Sequence, residues 1–168
     1  MHATLIKKAI NKSFSQQASS YDVHANVQVS SAQALAKFLE EGIDKIPQGP
    51  ILELGCGTGI FTTHLLKLFP DNFITATDAS QSMLNQCERL LRPAPERLRL
   101  TLMDAEECAA EGTFAVVAAS FSLQWVTDFY ATIDRLLKPL KPGGQLVFFI
   151  PRTGVADRKI GESGRHVG

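Results

Sequence analysis

The 168-residue chain reads as a doubly wound α/β fold with a mostly parallel sheet. Three observations predict it. From residue 51 onward, short apolar and partly β-branched runs alternate with segments of helical period. The first run, "ILEL", passes into a helical pattern through three glycines set two apart, Gly55, Gly57 and Gly59. A hydrophobic fraction of 45% beside 20% charged residues is ordinary globular composition, enough to bury one core.

Residues 4–20 place Leu5, Ile6, Ala9, Ile10 and Phe14 at helical spacing. "SSYDVHANVQ" reads as an interruption, and 28–41 resumes the period through Val29, Ala32, Leu35, Ala36 and Leu39. Gly42 and "PQGP" (47–50) end it. Strands are expected at 51–54, 73–78, 98–104, 114–120 and 145–150, with helices at 59–69, 80–92 and 129–138 and a short turn near 105–110. Such alternation pairs strands in parallel through right-handed crossovers. "KPGG" (141–144) reads as the turn that launches the fifth strand. The expected division is an N-terminal helical lid or substrate segment (1–47), an α/β core (48–150) and an irregular tail (151–168).

Seventeen basic and seventeen acidic residues leave a formal charge of zero, with no surplus to neutralise phosphates, so nucleic-acid binding is not expected. No apolar run approaches the roughly 20 residues of a membrane span, and the first residues lack the apolar stretch of a secretory signal. Cys56, Cys87 and Cys108 are odd in number and form no CxxC. Neither a metal site nor a disulfide framework is expected, and a reducing cytoplasm is the expected location.

In a doubly wound sheet, ligands sit beyond the carboxyl ends of the strands, where strand order reverses. Glycines there allow a tight turn and close approach to a ligand, and the helix start offers unpaired N–H groups. The dinucleotide pattern GxGxxG fails because its sixth position is Ile60. "ELGCGTG" instead sets Glu53 two residues before Gly55. An acid suits a ligand with an ammonium group and suits a pyrophosphate badly; the alternative is a tight turn with a capping acid. Asp78, ending the second strand, can accept from both hydroxyls of a ribose or serve as a helix-entry acid with Ser80 as cap.

The glycine turn, Asp78, "MDAEE" and "SFSLQW" lie at the ends of successive strands. In that order they resemble the class I, Rossmann-like, S-adenosylmethionine-dependent methyltransferases. The resemblance implies S-adenosylmethionine as cofactor, with the glycine loop (Gly55, Cys56, Gly57, Gly59) passing its methionine portion and Glu53 holding its amino acid part. It places Asp78 at the ribose and counts Ala79 and Met83 among the cofactor-binding residues. Asp104 and Ala105 bracket adenine, and Ser120 opens the segment that floors the cofactor. Cys56 itself reads as a small filler.

Residues 5–150 further resemble the malonyl-acyl-carrier-protein O-methyltransferases of biotin synthesis. The likeness rests on Phe14, Ala18, Tyr21-Asp22, Ala25-Asn26-Val27-Gln28 and "SLQWVTDFYATIDRLLKPLKPGGQLVFF". It implies methyl transfer to the free carboxylate of a malonyl thioester, with malonyl-acyl-carrier protein or malonyl-CoA as partner, no nucleic acid or membrane, and a monomeric protein. A carboxylate with a pKa of about 4 is already ionised near neutral pH. No general base and no catalytic His or Cys are therefore expected, and alignment carries the rate. Tyr21 is expected over the cofactor as a positioning residue, while Gln28, Gln124 and Trp125 line the methyl-transfer chamber. Lys7, Lys8 and Lys12 would meet an acidic carrier protein.

Structural readings stay open for several of these: Tyr21 or Trp125 as packing residues, Gln28 as a solvated helix position, His24 and His64 at helix surfaces, Arg152 as a tail charge. Two other functions also stay open. One is another carboxyl methyltransferase, of the trans-aconitate kind; the other is a cofactor-binding remnant without turnover. Complete members of the resembled family continue with further strands, which are expected to be missing here. That would leave the fifth strand as an apolar edge.

Overall fold

The computed structural model describes residues 21–109 and 111–150. The expected first helix with Lys7, Lys8, Lys12, Phe14 and Ala18, and the tail with Arg152, lie outside the described residues. Among the described residues, five strands form one sheet: β1 (Ile51–Leu54), β2 (Ile74–Asp78), β3 (Leu98–Leu102), β4 (Phe114–Ser120) and β5 (Leu140–Phe149). Their order is β3-β2-β1-β4-β5, and every pairing is parallel. The order reverses at β1, so the carboxyl ends of β1 and β4 flank the switch point.

Four helices among the described residues cover the sheet: α1 (Tyr21–Glu41), α2 (Ile60–Leu68), α3 (Gln81–Leu90) and α4 (Phe129–Leu137). All four β1 side chains are buried, as a central parallel strand requires. Their alternation divides the core in two. Ile51, Ile74, Val116, Ala118 and Val147 pack with Ala32, Leu35, Ala36 and Leu39 of α1 and with Phe61 and Leu65 of α2. Leu52, Leu54, Val117 and Ala119 face the other way, onto Leu123 and Leu136. Among the described residues, no helix is long and apolar enough to cross a membrane.

Three boundaries depart from expectation. Helix α1 begins at Tyr21, inside the stretch read as an interruption. That stretch has no Gly or Pro from 21 onward, and just past its end Ser30 and Ser31 donate their hydroxyls back to the carbonyls of Asn26 at 2.8 Å and Gln28 at 2.9 Å. Strand β3 stops at Leu102, because Asp104 turns the chain by accepting from the Glu106 N–H at 3.0 Å. "KPGG" is not a turn before β5 but part of it. The ladder pairs Phe114 with Leu140 and next Val116 with Gln145, so Lys141–Gly144 bulge out of an edge strand, where Pro142 needs no ladder partner.

One side chain fixes the exit of α2. Arg97 donates through Nη1 to the carbonyls of Phe69 (2.9 Å) and Asn72 (3.3 Å), and through Nη2 to that of Leu66 (2.7 Å). The Leu66 bond takes up an orphan carbonyl of the last helical turn, and the bonds to Phe69 and Asn72 tie down the loop that follows. Arg97→Ala is expected to lower unfolding free energy by about 2–3 kcal/mol, read from urea melts. A loss below about 0.5 kcal/mol would show that water replaces the guanidinium without cost.

Candidate functional site

β1 delivers Glu53 and then leaves the sheet through the glycine turn. Gly55, Gly57 and Gly59 all have left-handed φ, at 65°, 56° and 93°, which only glycine adopts freely. Gly55 adds a steric demand, since a Cβ there would stand 2.3 Å from the Cβ of Ser122. Gly57 instead faces open space, with nothing within 4 Å of a would-be Cβ. The loop thus closes on β4 at one glycine and leaves room for a ligand at another. Ser122 completes the junction by donating its hydroxyl to the Leu54 carbonyl at 2.8 Å.

Asp78 holds the loop from β2. Its Oδ2 accepts from the Gly57 N–H at 2.9 Å and its Oδ1 from the Ser80 N–H at 2.8 Å. Burial raises its pKa above the ordinary aspartate value while these two bonds lower it. Each carboxylate oxygen retains a second lone-pair direction, so the contacts leave acceptor capacity for a ribose. The geometry thus fits Asp78 both as a ribose acceptor and as a helix-entry acid, but Ser80, at the N-cap position, makes no side-chain capping bond, its hydroxyl lying 2.9 Å from that of Ser82.

Glu53 is only 1% exposed, and its Oε2 has no hydrogen-bond partner among the described residues. Its pKa is pushed up to about 8, mainly by burial, with Thr62 lowering it and Cys87 and Asp78 raising it. An orphaned buried acceptor beneath a glycine loop is a place where a cationic donor would be welcome. The residues present therefore fit a ligand with an ammonium group.

The other expected residues distribute around this centre. Cys56 is buried, with Sγ 3.8 Å from the Gly57 carbonyl, and contact with Cys87 raises the Cys56 thiol and lowers that of Cys87. The filler reading fits it. Ala79 is exposed and Met83 half-buried at the start of α3. Asp104 is half-buried and caps a 3-10 turn, and Ala105 packs on the second core. Met103 N–H bonds the Asp78 carbonyl at 3.0 Å, tying this segment to the end of β2. Ser120 ends β4 opposite Phe149.

The turn after β4 is held unusually. Phe121 adopts a left-handed φ of 59°, with its N–H on the Phe149 carbonyl at 3.1 Å and its carbonyl taking the Gln124 amide at 2.9 Å. Gln124 Oε1 is buried without a hydrogen-bond partner among the described residues. Trp125 is 44% exposed, which excludes the plain-core reading. Near this turn, Asn26, Val27, Ser30, Ser31 and Phe149 line a cleft of about 290 Å³. Gln28 is half-buried and not among these lining residues, and Tyr21 contributes its backbone as the first residue of α1. The sequence reading missed Ser30, Ser31 and Phe149. The helical spacing of Asn26 with Ser30 and Val27 with Ser31 was the available signal.

Comparison with known proteins sets this geometry in a family. Residues 51–144 match the model of a methyltransferase domain. A malonyl-[acyl-carrier protein] O-methyltransferase of Priestia megaterium is 35% identical over 142 residues, 84% of this chain and 51% of the relative. A protein of the same name from a Paenibacillus species is 36% identical over 88% of this chain and 56% of its own length. The chain spans about half the length of these curated relatives. A crystal structure of an S-adenosylmethionine-dependent methyltransferase from Clostridium acetobutylicum aligns with a TM-score of 0.64 at 24% identity, over 77% of this chain and 53% of the other; it bears out the fold. With the glycine turn, the acids and the switch point in place, the chain belongs to the methyltransferase domain family, as a class I fold.

Proposed function

We propose that the chain binds S-adenosylmethionine at the switch point and transfers its methyl group to the free carboxylate of a malonyl thioester carried by acyl-carrier protein. The observation that carries the cofactor is Glu53, buried with an unpartnered oxygen beneath the glycine loop. Its carboxylate would take the cofactor's ammonium, Asp78 the ribose hydroxyls, and Met103, Asp104 and Ala105 the adenine. When bound there, the cofactor supplies an electrophilic methyl on a sulfonium. The glycine loop and Ser122 fix the approach, and the turn from Phe121 to Trp125 forms the wall towards the substrate.

The substrate rests on the names of the relatives, malonyl-[acyl-carrier protein] O-methyltransferases. The chemistry suits this site because an ionised carboxylate needs no base, and none is proposed. Tyr21, Gln124 and Trp125 would orient the carboxylate and exclude water, with Tyr21 donating its hydroxyl to it or to the cofactor. Alignment of this kind supplies on the order of 7–11 kcal/mol.

Incubation with S-adenosylmethionine and malonyl-acyl-carrier protein, read by intact mass, is expected to add one methyl group to the carrier protein. Transfer to trans-aconitate with the carrier protein unchanged would favour the other carboxyl methyltransferase. An unmodified carrier protein beside measurable S-adenosylhomocysteine binding would reduce the function to cofactor binding alone.

A further inference from the structure

The order β3-β2-β1-β4 sets the carboxyl ends of β3 and β4 three strand spacings apart, roughly 14 Å. The turns that leave these two ends border the crevice at the switch point from opposite sides. After β3 come Asp104 and the 3-10 turn Ala105–Glu107; after β4 come Phe121 to Trp125 and the run into α4. One residue joins the two. Glu106 accepts the Thr127 N–H through Oε1 at 3.1 Å and the Thr127 hydroxyl through Oε2 at 3.4 Å. Its carbonyl takes Nη1 of Arg135, on α4, and its own N–H is held by Asp104 Oδ1 at 3.0 Å.

Every polar position of Glu106 is thus engaged, and its partners lie on the cap of its own turn, on the run before α4, and on α4 itself. A glutamate on a surface turn is ordinarily left to water. Here both carboxylate oxygens meet one residue, through its main-chain N–H and its hydroxyl, which fixes the direction of the contact as well as its length. Beneath the bridge, Met103, Ala105, Val126 and Phe129 pack against the same core cluster. The core sets how deep the two turns sit, and Glu106 sets how far apart they stand. Thr127 follows exposed Trp125 by two residues, and the turn between Leu123 and Val126 is closed by the Val126 N–H on the Leu123 carbonyl at 3.4 Å. A shift of Thr127 therefore carries Gln124 and Trp125 with it.

We propose that Glu106 is a positioning residue that couples the two sides of the site: its carboxylate ties the turn carrying Gln124 and Trp125 to the segment that takes the adenine, so that filling the cofactor side sets the wall on the substrate side. The inference rests on the reading that adenine lies against Met103, Asp104 and Ala105. Such a residue touches no reacting atom; it transmits occupancy of one turn to the position of the other.

Trp125 is the single tryptophan of the chain, so its fluorescence reports on the wall alone. The test follows that emission in the full chain as S-adenosylhomocysteine is added, with calorimetry measuring binding independently. In the unsubstituted chain the ligand is expected to shift the emission. Glu106→Ala should lose most of the shift and bind about three- to tenfold more weakly, the worth of one hydrogen bond. Glu106→Asp keeps the charge but is one methylene too short to reach Thr127, and should behave as the Ala variant does. Glu106→Gln keeps the length and an acceptor for the Thr127 N–H, and should retain both shift and affinity. An undiminished shift in Ala and Asp variants that unfold in urea as the unsubstituted chain does overturns the proposal and leaves the cofactor reading intact. Binding that leaves Trp125 unmoved in the unsubstituted chain does the same. If the unsubstituted chain binds no S-adenosylhomocysteine, the cofactor reading falls, and the proposal with it.

Discussion

Glu53→Gln is expected to weaken S-adenosylhomocysteine binding roughly 10- to 150-fold, the worth of a hydrogen bond to a charged partner, while making the ligand-free protein less sensitive to pH. The two effects have one source. Burial holds the Glu53 pKa near 8 against an ordinary 4.5. Between those values the folded chain binds a proton that the unfolded chain has released. Stability from this group is therefore complete below the unfolded value and is lost as pH rises through about 8, with a slope of at most about 1.4 kcal/mol per pH unit. Glutamine has nearly the same shape and no proton to lose, so the variant should lack this slope.

Ligand binding runs against that preference, because an ammonium group needs the charged acid. Binding near neutral pH should therefore release close to one proton from Glu53. Calorimetry in two buffers of different ionisation enthalpy reads that number directly, and Glu53→Gln should reduce it to near zero. Equal affinity and equal proton release in the two proteins would show that Glu53 serves the fold and not the ligand.

The glycine turn and its acid were legible in the sequence because their physics is local. Left-handed backbone at Gly55, Gly57 and Gly59 is written in the residue type, and the strand before it in the three apolar residues that surround Glu53. What escaped was set by partners far away in the chain. Helix α1 reaches back to Tyr21 although Val27 and Val29 are exposed, so the polar stretch shows no apolar period to read. "KPGG" carries the residues of a turn, yet pairing with β4 draws it into an edge strand as a bulge. Trp125 was readable as core or as chamber wall, and its exposure removes the first of these.

The steric logic of the turn predicts an equally large effect at Gly55, of a kind that can be dissected. Gly55→Ala meets two penalties. A left-handed φ costs a residue with a Cβ about 1–2 kcal/mol, and that Cβ would stand 2.3 Å from the Cβ of Ser122, far inside contact distance. The sum is expected to exceed about 3 kcal/mol of unfolding free energy and to displace Glu53, two residues away, weakening ligand binding as well. Gly57→Ala shares only the first penalty, because its Cβ meets open space, so it should cost about 1–2 kcal/mol. Ser122→Gly in the Gly55→Ala background removes both the opposing Cβ and the hydroxyl, 2.9 Å away. It should recover stability despite losing the bond to Leu54, worth about 1 kcal/mol. Ser122→Ala keeps the offending Cβ and should rescue nothing. Urea unfolding of the double variants gives the coupling directly. If Ala at 122 rescued as well as Gly, the strain would lie in the backbone turn alone, and the close approach of β1 to the β4 turn would not be what selects glycine at position 55.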